Sequence, residues 1–487
     1  MKKAIMLPLV AAISGVMVGC GGGGGGGSST PPGPSYTYYT FSFYKSAEVV
    51  YNPSSSCTVY DLREDNGENK ALNYYAIGSS LDAFLKAVYS DAEGNQIGSE
   101  VSATNGKLKV ALESIPDDGY VTLQEQYGNQ VFAQSFSKEV LSSDSSMRST
   151  YLSVRNPASQ GSCLTGGNDT PTTVTNLAYT NDEAATGNPN IQLYFDSQLE
   201  TITSTNNTLD SIEGVRNEST MISQYRTTDR SQLFQYGFDG WNGNSMKFTG
   251  NLGTVDTSKS QIVSTTPVID LNAIYNNFMY ELAELPVSGN QAVYYHPDER
   301  LGETWAYSMS GSIAAAGWEA SYQDVISTTW SISIDDEGLF MSNNANDAKP
   351  TVSNETVDVR TSIAVDTEKG LQRIAYEQGQ GGYLVKHAVY THVSPTVKIP
   401  QLDLSEFSSS VADSLRITSS SKISQSYLFT ENDKDMALSD FMTAFRHGGD
   451  GNVDNDNMSI VKSLQDMRYT LNNIAQTRSY YLHRYDN

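Results

Sequence analysis

The chain of 487 residues is poor in cysteine and in basic side chains. It has three cysteines, and 31 Lys and Arg stand against 55 Asp and Glu, which gives a formal net charge of −24. Such acidity opposes binding to nucleic acid, so no nucleic-acid partner is expected. The sequence also contains no His-Glu-x-x-His, Cys-x-x-Cys, Walker or Gly-x-Ser-x-Gly motif. We therefore predict neither an enzyme nor a required cofactor.

What is present at the start of the chain is an export signal. Lys2 and Lys3 precede an apolar run from Ala4 to Val18, which the small residue Gly19 closes. A basic start, a short apolar segment and a small residue at the cut site are typical of a secretory signal. The run is shorter than the roughly 20 apolar residues that cross a bilayer as a helix. Residues 1–19 are therefore predicted to be a cleaved signal peptide.

The residues around Cys20 resemble the lipobox of bacterial lipoproteins, in which the cysteine receives a diacylglyceryl group and becomes an acylated N-terminus. Cys20 matches the modified cysteine and Gly19 the small residue before it. Val18 is accepted at the next position, whereas Met17 stands where Leu is more usual. Gly21 after the cysteine resembles the outer-membrane sorting pattern. The resemblance implies lipidation at Cys20 and an outer-membrane location, with surface display favoured over the periplasmic face.

The segment that follows has the composition of a tether. Residues 20–35 contain seven consecutive glycines, Gly21 to Gly27, and then a Ser- and Pro-rich stretch. Glycine-rich chain is a flexible coil and proline favours extended geometry, so about fifteen such residues reach roughly 20 Å. Cleavage removes two lysines from a chain of charge −24 and leaves about −26. The tether would hold this acidic body clear of the lipid headgroups.

The body is predicted to be mainly β with a few helices. Thirty Tyr, 15 Phe and four Trp can fill a large core, and the low charged fraction is typical of β-rich exported proteins. In residues 36–164, short alternating segments such as Tyr39–Phe43 are separated by turns such as Pro116–Gly119. This pattern predicts a β-sandwich. The segment Ile115–Gln124 resembles those of immunoglobulin-like or transthyretin-like exported modules.

The two remaining cysteines form an even pair in an oxidising compartment. Cys57 and Cys163 are therefore predicted to form a disulfide. The bond would close a loop of roughly 105 residues and make residues 36–164 one folding unit. The alternative is two free buried thiols.

The polar stretch 165–173 predicts a linker, and 174–487 a larger β-rich α+β domain with a sub-boundary near 287. Apolar spacing predicts a helix from Asp270 to Glu284. The chain then ends in two predicted helices and a strand, at Asp433–Phe445, Ser459–Gln476 and Tyr480–His483.

Between these last two helices lies an Asx-rich loop that resembles the first half of an EF-hand or dockerin calcium loop. Asp450, Asn452 and Asp454 match its first three ligand positions, and Asp456 sits where a backbone carbonyl normally serves. Val461 stands where the bidentate Glu is expected. The two interpretations are a Ca²⁺ site of reduced affinity and a solvated turn in which Ser459 caps the second helix.

Aromatic residues concentrate in residues 290–335, where Trp305, Trp318 and Trp330 occur. These rings either stack on a bound sugar or fill the core, as large aromatic side chains usually do. Asp298 and Glu299 do not form a glycosidase pair, because neighbouring residues of a strand point to opposite faces.

Together these features predict a non-catalytic, lipid-anchored surface lipoprotein that acts through contacts with other envelope or surface proteins or glycans. Its layout resembles the large lipoproteins of marine gamma-proteobacteria, including those that coat sheathed polar flagella. Two alternatives stay open: a lipoprotein that binds or cleaves glycans through residues 290–335, and an accessory factor of envelope assembly.

Overall fold

The described strands form six sheets, the largest of which has twelve strands. The computed structural model describes residues 35–52, 54–155, 161–165, 174–180, 192–196, 201–204, 208–215, 219–225, 233–240, 247–248, 253–256, 268–285, 287–288, 291–296, 300–313, 317–326, 346–365, 370–430, 437–448 and 458–486. The fold class is confirmed as mainly β with a few helices.

The first strands are β1 Tyr38–Val50, β2 Asp61–Asp65, β3 Glu68–Ala76, β4 Leu85–Ser90, β5 Gln96–Ser102, β6 Lys107–Ala111, β7 Tyr120–Tyr127, β8 Gln130–Ser137, β9 Ser149–Ser153, β10 Val174–Thr180, β11 Gln192–Asp196, β12 Thr201–Ser204, β13 Thr208–Val215, β14 Ser219–Tyr225 and β15 Leu233–Gly240. The later strands are β16 Lys247–Phe248, β17 Gly253–Asp256, β18 Val268–Tyr275, β19 Phe278–Leu285, β20 Val287–Ser288, β21 Gln291–His296, β22 Thr304–Ile313, β23 Trp318–Val325, β24 Thr351–Ser353, β25 Thr356–Asp358, β26 Leu371–Gln380, β27 Tyr383–His392, β28 Thr396–Lys398, β29 Lys422–Thr430 and β30 Ser479–Asp486. The helices are α1 Lys138–Ser143, α2 Ser409–Ser414, α3 Leu438–Gly448 and α4 Leu464–Ala475, with 3₁₀ turns at Gly78–Phe84, Leu112–Ser114 and Ser145–Arg148.

The twelve-stranded sheet joins the two ends of the chain. Its order is β19-β18-β22-β23-β30-β29-β26-β27-β8-β7-β4-β5, and every neighbouring pair is antiparallel except β8 with β27. Strands β1, β2, β3, β6 and β9 form a separate five-stranded sheet. Strands from residues 36–164 therefore lie in two different sheets. One of these, the twelve-stranded sheet, also contains strands from the C-terminal third of the chain.

These two sheets pack face to face over a shared apolar core. Phe41 of β1 stacks on Phe136 of β8 with 6.0 Å between ring centroids, and Phe136 stacks on Tyr390 of β27 at 5.4 Å. The core thus combines residues from both sides of the predicted linker, and Thr37–Asn487 form one compact unit. Linker residues 166–173 lie outside the described residues. The comparison with immunoglobulin-like or transthyretin-like modules stays a prediction.

The helix predicted from Asp270 to Glu284 is wrong, because this segment is the hairpin β18–β19. Asn276 and Asn277 form its turn, with φ values of 49° and 67°. Positive φ at both central residues is typical of the type I′ turn, which is common in two-residue hairpins. Asn tolerates this conformation. The buried residues Ile269, Leu271 and Ala273 alternate along β18. The helix prediction rested on Leu271, Ile274, Phe278 and Leu282, whose spacings of three and four also fit a helix, which explains the error.

The predicted helices and strand at the chain end are confirmed with shifted bounds, as α3, α4 and β30. Ser463, and not Ser459, caps α4, since its Oγ accepts from the backbone N of Asp466 at 3.0 Å. Among the described residues, none of the helices has the length and apolar character of a membrane-spanning helix.

The predicted disulfide between Cys57 and Cys163 is confirmed, with a Cα–Cα distance of 5.6 Å. The bond joins two residues that are 106 positions apart in the sequence. Cys163 also forms an isolated β-bridge with Tyr75 of β3, so the segment 161–165 is attached to the five-stranded sheet. Leu164 reinforces the attachment, because its N donates to the Tyr74 carbonyl at 2.8 Å and its carbonyl accepts from Thr58 N at 2.9 Å.

Candidate functional site

The site begins at the two-residue turn Asn354–Glu355 between β24 and β25. Ser353 pairs with Thr356, and both turn residues have positive φ, 49° and 57°. The comparable turns Asn66–Gly67 and Asn105–Gly106 have glycine in second place, and Asn276–Asn277 has Asn, which tolerates this conformation. A residue with a Cβ is strained in the left-handed conformation by roughly 1–2 kcal/mol. Strain of this type gathers at functional sites, which directs attention to Glu355.

The surrounding residues hold Glu355 in this conformation. Its carbonyl accepts from the N of Ile399 at 2.8 Å. Its carboxylate accepts from Arg416 Nη1 at 2.6 Å and from Gln401 Nε2 at 3.4 Å. Lys398 Nζ lies 3.8 Å from the same carboxylate. The strained turn therefore places a carboxylate in a network of three donor side chains.

This carboxylate lies at the edge of a cavity of about 370 Å³. The cavity forms where the segment 399–417, which includes α2, crosses Tyr376 of β26. Most of its lining is apolar, including Leu402, Leu404 and Phe407, and its polar part includes Glu355, Asp413 and Arg416. Small-molecule sites are usually apolar clefts of roughly 300–1,000 Å³ with a few placed polar groups. The cavity has that size and composition.

Contacts with the β4–β7 region fix the segment that covers the cavity. Gln124 of β7 hydrogen-bonds the backbone of Asp403, and Lys86 of β4 pairs with the Asp403 carboxylate at 2.5 Å. Burial alone raises the pKa of Asp403, but hydrogen bonds from Lys86 and Ser405 outweigh it and hold the pKa far below its usual range. The Asp403 carboxylate therefore keeps its negative charge across the ordinary pH range.

Gly94 makes a further close contact with this segment. Its φ is +78°, and a Cβ here would lie 3.0 Å from the Lys398 side chain and 3.2 Å from the Ile399 carbonyl. Its own carbonyl accepts from the N of Gln401 at 2.9 Å. The position therefore requires glycine on two grounds, backbone conformation and space.

Behind the cavity lies a buried Ser–His contact that spacing along the chain could not reveal. The His387 ring meets the Tyr376 ring edge-on at 5.6 Å, and its Nε2 lies 2.7 Å from Ser135 Oγ. Ser135 Oγ is in turn 2.6 Å from Thr122 Oγ1. Burial lowers the pKa of His387 to about 3, so the ring is neutral.

This Ser–His pair does not have the geometry of a nucleophile and its base. Within the described structure, His387 Nδ1 has no hydrogen-bond partner. A catalytic histidine is normally oriented by a third group at that nitrogen. Both side chains are also fully buried. We therefore assign the pair a structural role, in which Ser135 satisfies one ring nitrogen inside the sheet.

The two described tryptophans of the predicted aromatic site lie in the core. Trp305 and Trp318 are both 0% exposed, so neither ring can stack on a sugar, while Trp330 lies outside the described residues. Trp305 Nε1 donates to the buried carboxylate of Glu303 at 2.9 Å. Trp318 Nε1 donates to the Asn346 carbonyl at 3.2 Å. These partners satisfy the indole N–H groups and leave the rings to fill space.

The other predicted site residues lie outside the described part of the chain. They are Cys20 and the Asx-loop residues Asp450, Asn452, Asp454 and Asp456. Lipidation and Ca²⁺ binding therefore stay predictions. Among the described residues, no three His, Cys, Asp or Glu side chains come together as metal ligands.

The amino-acid sequence alone does not predict the cavity. Its one local signal is the Asn354–Glu355 turn, which has Glu where an Asn-Gly turn is typical. Arg416 and Tyr376 meet this turn only through the tertiary fold.

No protein-family model matches this chain, and no curated protein is similar to it in sequence.

Proposed function

We propose that the protein is an outer-membrane lipoprotein, anchored through acylated Cys20, with a structural or interaction role at the cell surface and no catalytic role. The lipobox-like sequence Met17–Cys20, with the glycine tether behind it, is the observation that carries the proposal. One lipid chain holds a protein weakly, whereas several chains on one cysteine hold it firmly. A component of a flagellar sheath or another surface layer fits this layout.

The rest of the chain supports export. The remaining two cysteines form a disulfide, and such bonds persist in oxidising compartments such as the periplasm and cell surface. The formal charge of −24 favours a soluble body that does not lie on anionic headgroups. The partners we propose are envelope or surface proteins or glycans.

Fractionation of cells that express the Cys20→Ala variant tests the anchor. We expect the wild-type chain in the outer-membrane fraction and the variant in the periplasm or medium. Gly21→Ala, one residue further on, is the matched control and should remain in the membrane. A Cys20→Ala chain that stays in the membrane, or a wild-type N-terminal peptide that begins unacylated downstream of Cys20 in mass spectrometry, would refute the proposal.

Protease treatment of intact and lysed cells tests the surface role. A surface protein is cleaved in intact cells, so we expect the body to be lost in both samples. Protection in intact cells and cleavage after lysis would place it in the periplasm and favour an assembly role.

A further inference from the structure

We propose that the cavity between α2, the segment 399–408 and Tyr376 binds a small uncharged amphipathic molecule. The apolar part of the ligand would lie between Leu402, Leu404 and Phe407, and a carbonyl or hydroxyl oxygen would accept from Arg416. This goes beyond the proposed function and does not depend on how the protein is anchored.

The apolar wall supports the first half of this assignment. Leu402, Leu404, Phe407 and Ala412 line the cavity and remain only half-buried in the folded protein. Burying such surface against a ligand contributes roughly 25 cal/mol per Å². The transfer of the apolar part of a ligand from water into the cavity is therefore favourable.

Arg416 supports the assignment of an acceptor group. Its side chain is 46% exposed, and it contacts Glu355 through Nη1 at 2.6 Å and Asp413 through Nε at 3.4 Å. Nη2 has no partner in the described part of the chain. A guanidinium carries five N–H donors, so donors remain for a ligand oxygen.

The balance of charge supports an uncharged head. The charged lining residues are Glu355, Asp413 and Arg416, and Lys398, which lies outside the lining, is 3.8 Å from the Glu355 carboxylate. These four side chains form an ion cluster with no net charge. An anionic head would add a third negative charge beside two carboxylates, in a chain of net charge −24. A cationic head would compete with Arg416 for Glu355. A neutral amide or hydroxyl avoids both costs.

The site is also preorganised. The strained turn fixes Glu355, and Gln124 and Lys86 fix the covering segment through Asp403. Little of the wall then needs to be ordered when a ligand enters, which lowers the entropic cost of binding. Strain held in place at the edge of a cavity is independent support for a ligand role.

Three probes with one chain length test the ligand class: octanamide, octanoate and octylamine. They are titrated by calorimetry and ligand-observed NMR into the full chain carrying Cys20→Ala, whose lack of acyl chains prevents self-competition. We expect saturable binding of octanamide, at least tenfold tighter than that of either charged probe. Absence of saturable binding, or equal binding of all three, would overturn the proposal.

Two variants of α2 locate the binding. Ala412→Leu places a larger side chain inside the cavity with only a small loss of helix propensity, and should weaken octanamide binding at least tenfold. Ser410→Leu is the matched control, because Ser410 is exposed on the same helix and does not line the cavity. Thermal unfolding of both variants establishes that they are folded. Unchanged octanamide binding by a folded Ala412→Leu chain would also overturn the proposal.

Arg416→Met keeps the apolar stem and removes the donors. The advantage of octanamide over octylamine should fall at least fivefold, while a wholly apolar site would show no change. These results are independent of Cys20 acylation, so a failed anchor experiment leaves them intact.

Discussion

Gln124 and Asp403, 279 residues apart in sequence, form a pair of hydrogen bonds between one side-chain amide and one backbone unit. Oε1 of Gln124 accepts from Asp403 N at 2.8 Å, and its Nε2 donates to the Asp403 carbonyl at 3.2 Å. Gln124 is 1% exposed, so its amide is satisfied largely by this irregular segment. The pair links the N-terminal strands to the cover of the cavity.

Replacing Gln124 with Met should lower the free energy of unfolding by about 1–3 kcal/mol. Met has a similar length but offers neither bond, which leaves the backbone N–H and C=O of Asp403 without these partners. Urea unfolding followed by circular dichroism measures the change. Gln130→Met, on the exposed start of β8, is the control and should change stability by less than about 0.5 kcal/mol. Equal stability of the two variants would show that the pair contributes nothing.

Removing the disulfide should destabilise the body more strongly. The double variant Cys57→Ser, Cys163→Ser loses a cross-link across 106 positions, and the expected loss is about 2–5 kcal/mol. Guanidinium unfolding of the double variant against its parent measures it. A reducing agent should lower the midpoint of the parent and leave the double variant unchanged. A parent that is insensitive to reduction would contradict the prediction.

The features that the sequence predicted correctly have local or compositional signals. The pairing of Cys57 with Cys163 followed from counting cysteines, and α4 from apolar residues at spacings of three and four. Alternation along β1 likewise marked Tyr39, Phe41 and Phe43, all of which are buried. In each case the signal lies within a few residues or in the number of a residue type.

The errors arise where one pattern fits two structures or where the deciding contacts are distant in sequence. The Asp270–Glu284 pattern fits both a helix and a hairpin, and only pairing with β22 and the Asn276–Asn277 turn decide between them. The parallel pairing of β8 with β27 joins segments about 250 residues apart and has no sequence signature. The cavity needs Glu355, Tyr376 and Arg416 together, so it exists only once the sheet has formed.

His387 should make stability depend on pH. Its pKa in the folded protein is about 3, below the usual 6.5, because burial disfavours the charged ring. As the pH falls, the unfolded chain therefore binds a proton at His387 before the folded protein does. The stabilisation that depends on the neutral ring is complete above about pH 6.5 and is lost as the pH falls towards 3. At pH 5 the loss from this residue is on the order of 2 kcal/mol, from 1.36 kcal/mol per pH unit.

His387→Gln tests this directly, since it keeps a hydrogen-bonding side chain opposite Ser135 without a titrating ring. The fall in unfolding free energy between pH 7 and pH 5 should be smaller in this variant, by about 2 kcal/mol. Gln130→Met, on the exposed start of β8, changes no titrating group; it is the control and should keep the wild-type profile. Identical profiles for wild type and His387→Gln would exclude the mechanism.

Two substitutions at Glu355 separate the effect of backbone strain on stability from the effect of the ion pair with Arg416. Glu355→Gln and Glu355→Gly both lose the carboxylate contact with Arg416, but only the glycine substitution relieves the φ of +57°. We expect the Glu355→Gly variant to be more stable than Glu355→Gln by about 1 kcal/mol in urea unfolding. The reverse exchange is the control: Gly67→Gln introduces the strain at the matching turn position, where a Cβ meets nothing within 4 Å. It should cost a similar amount, and a Glu355→Gly chain no more stable than Glu355→Gln would mean that Glu355 is not strained.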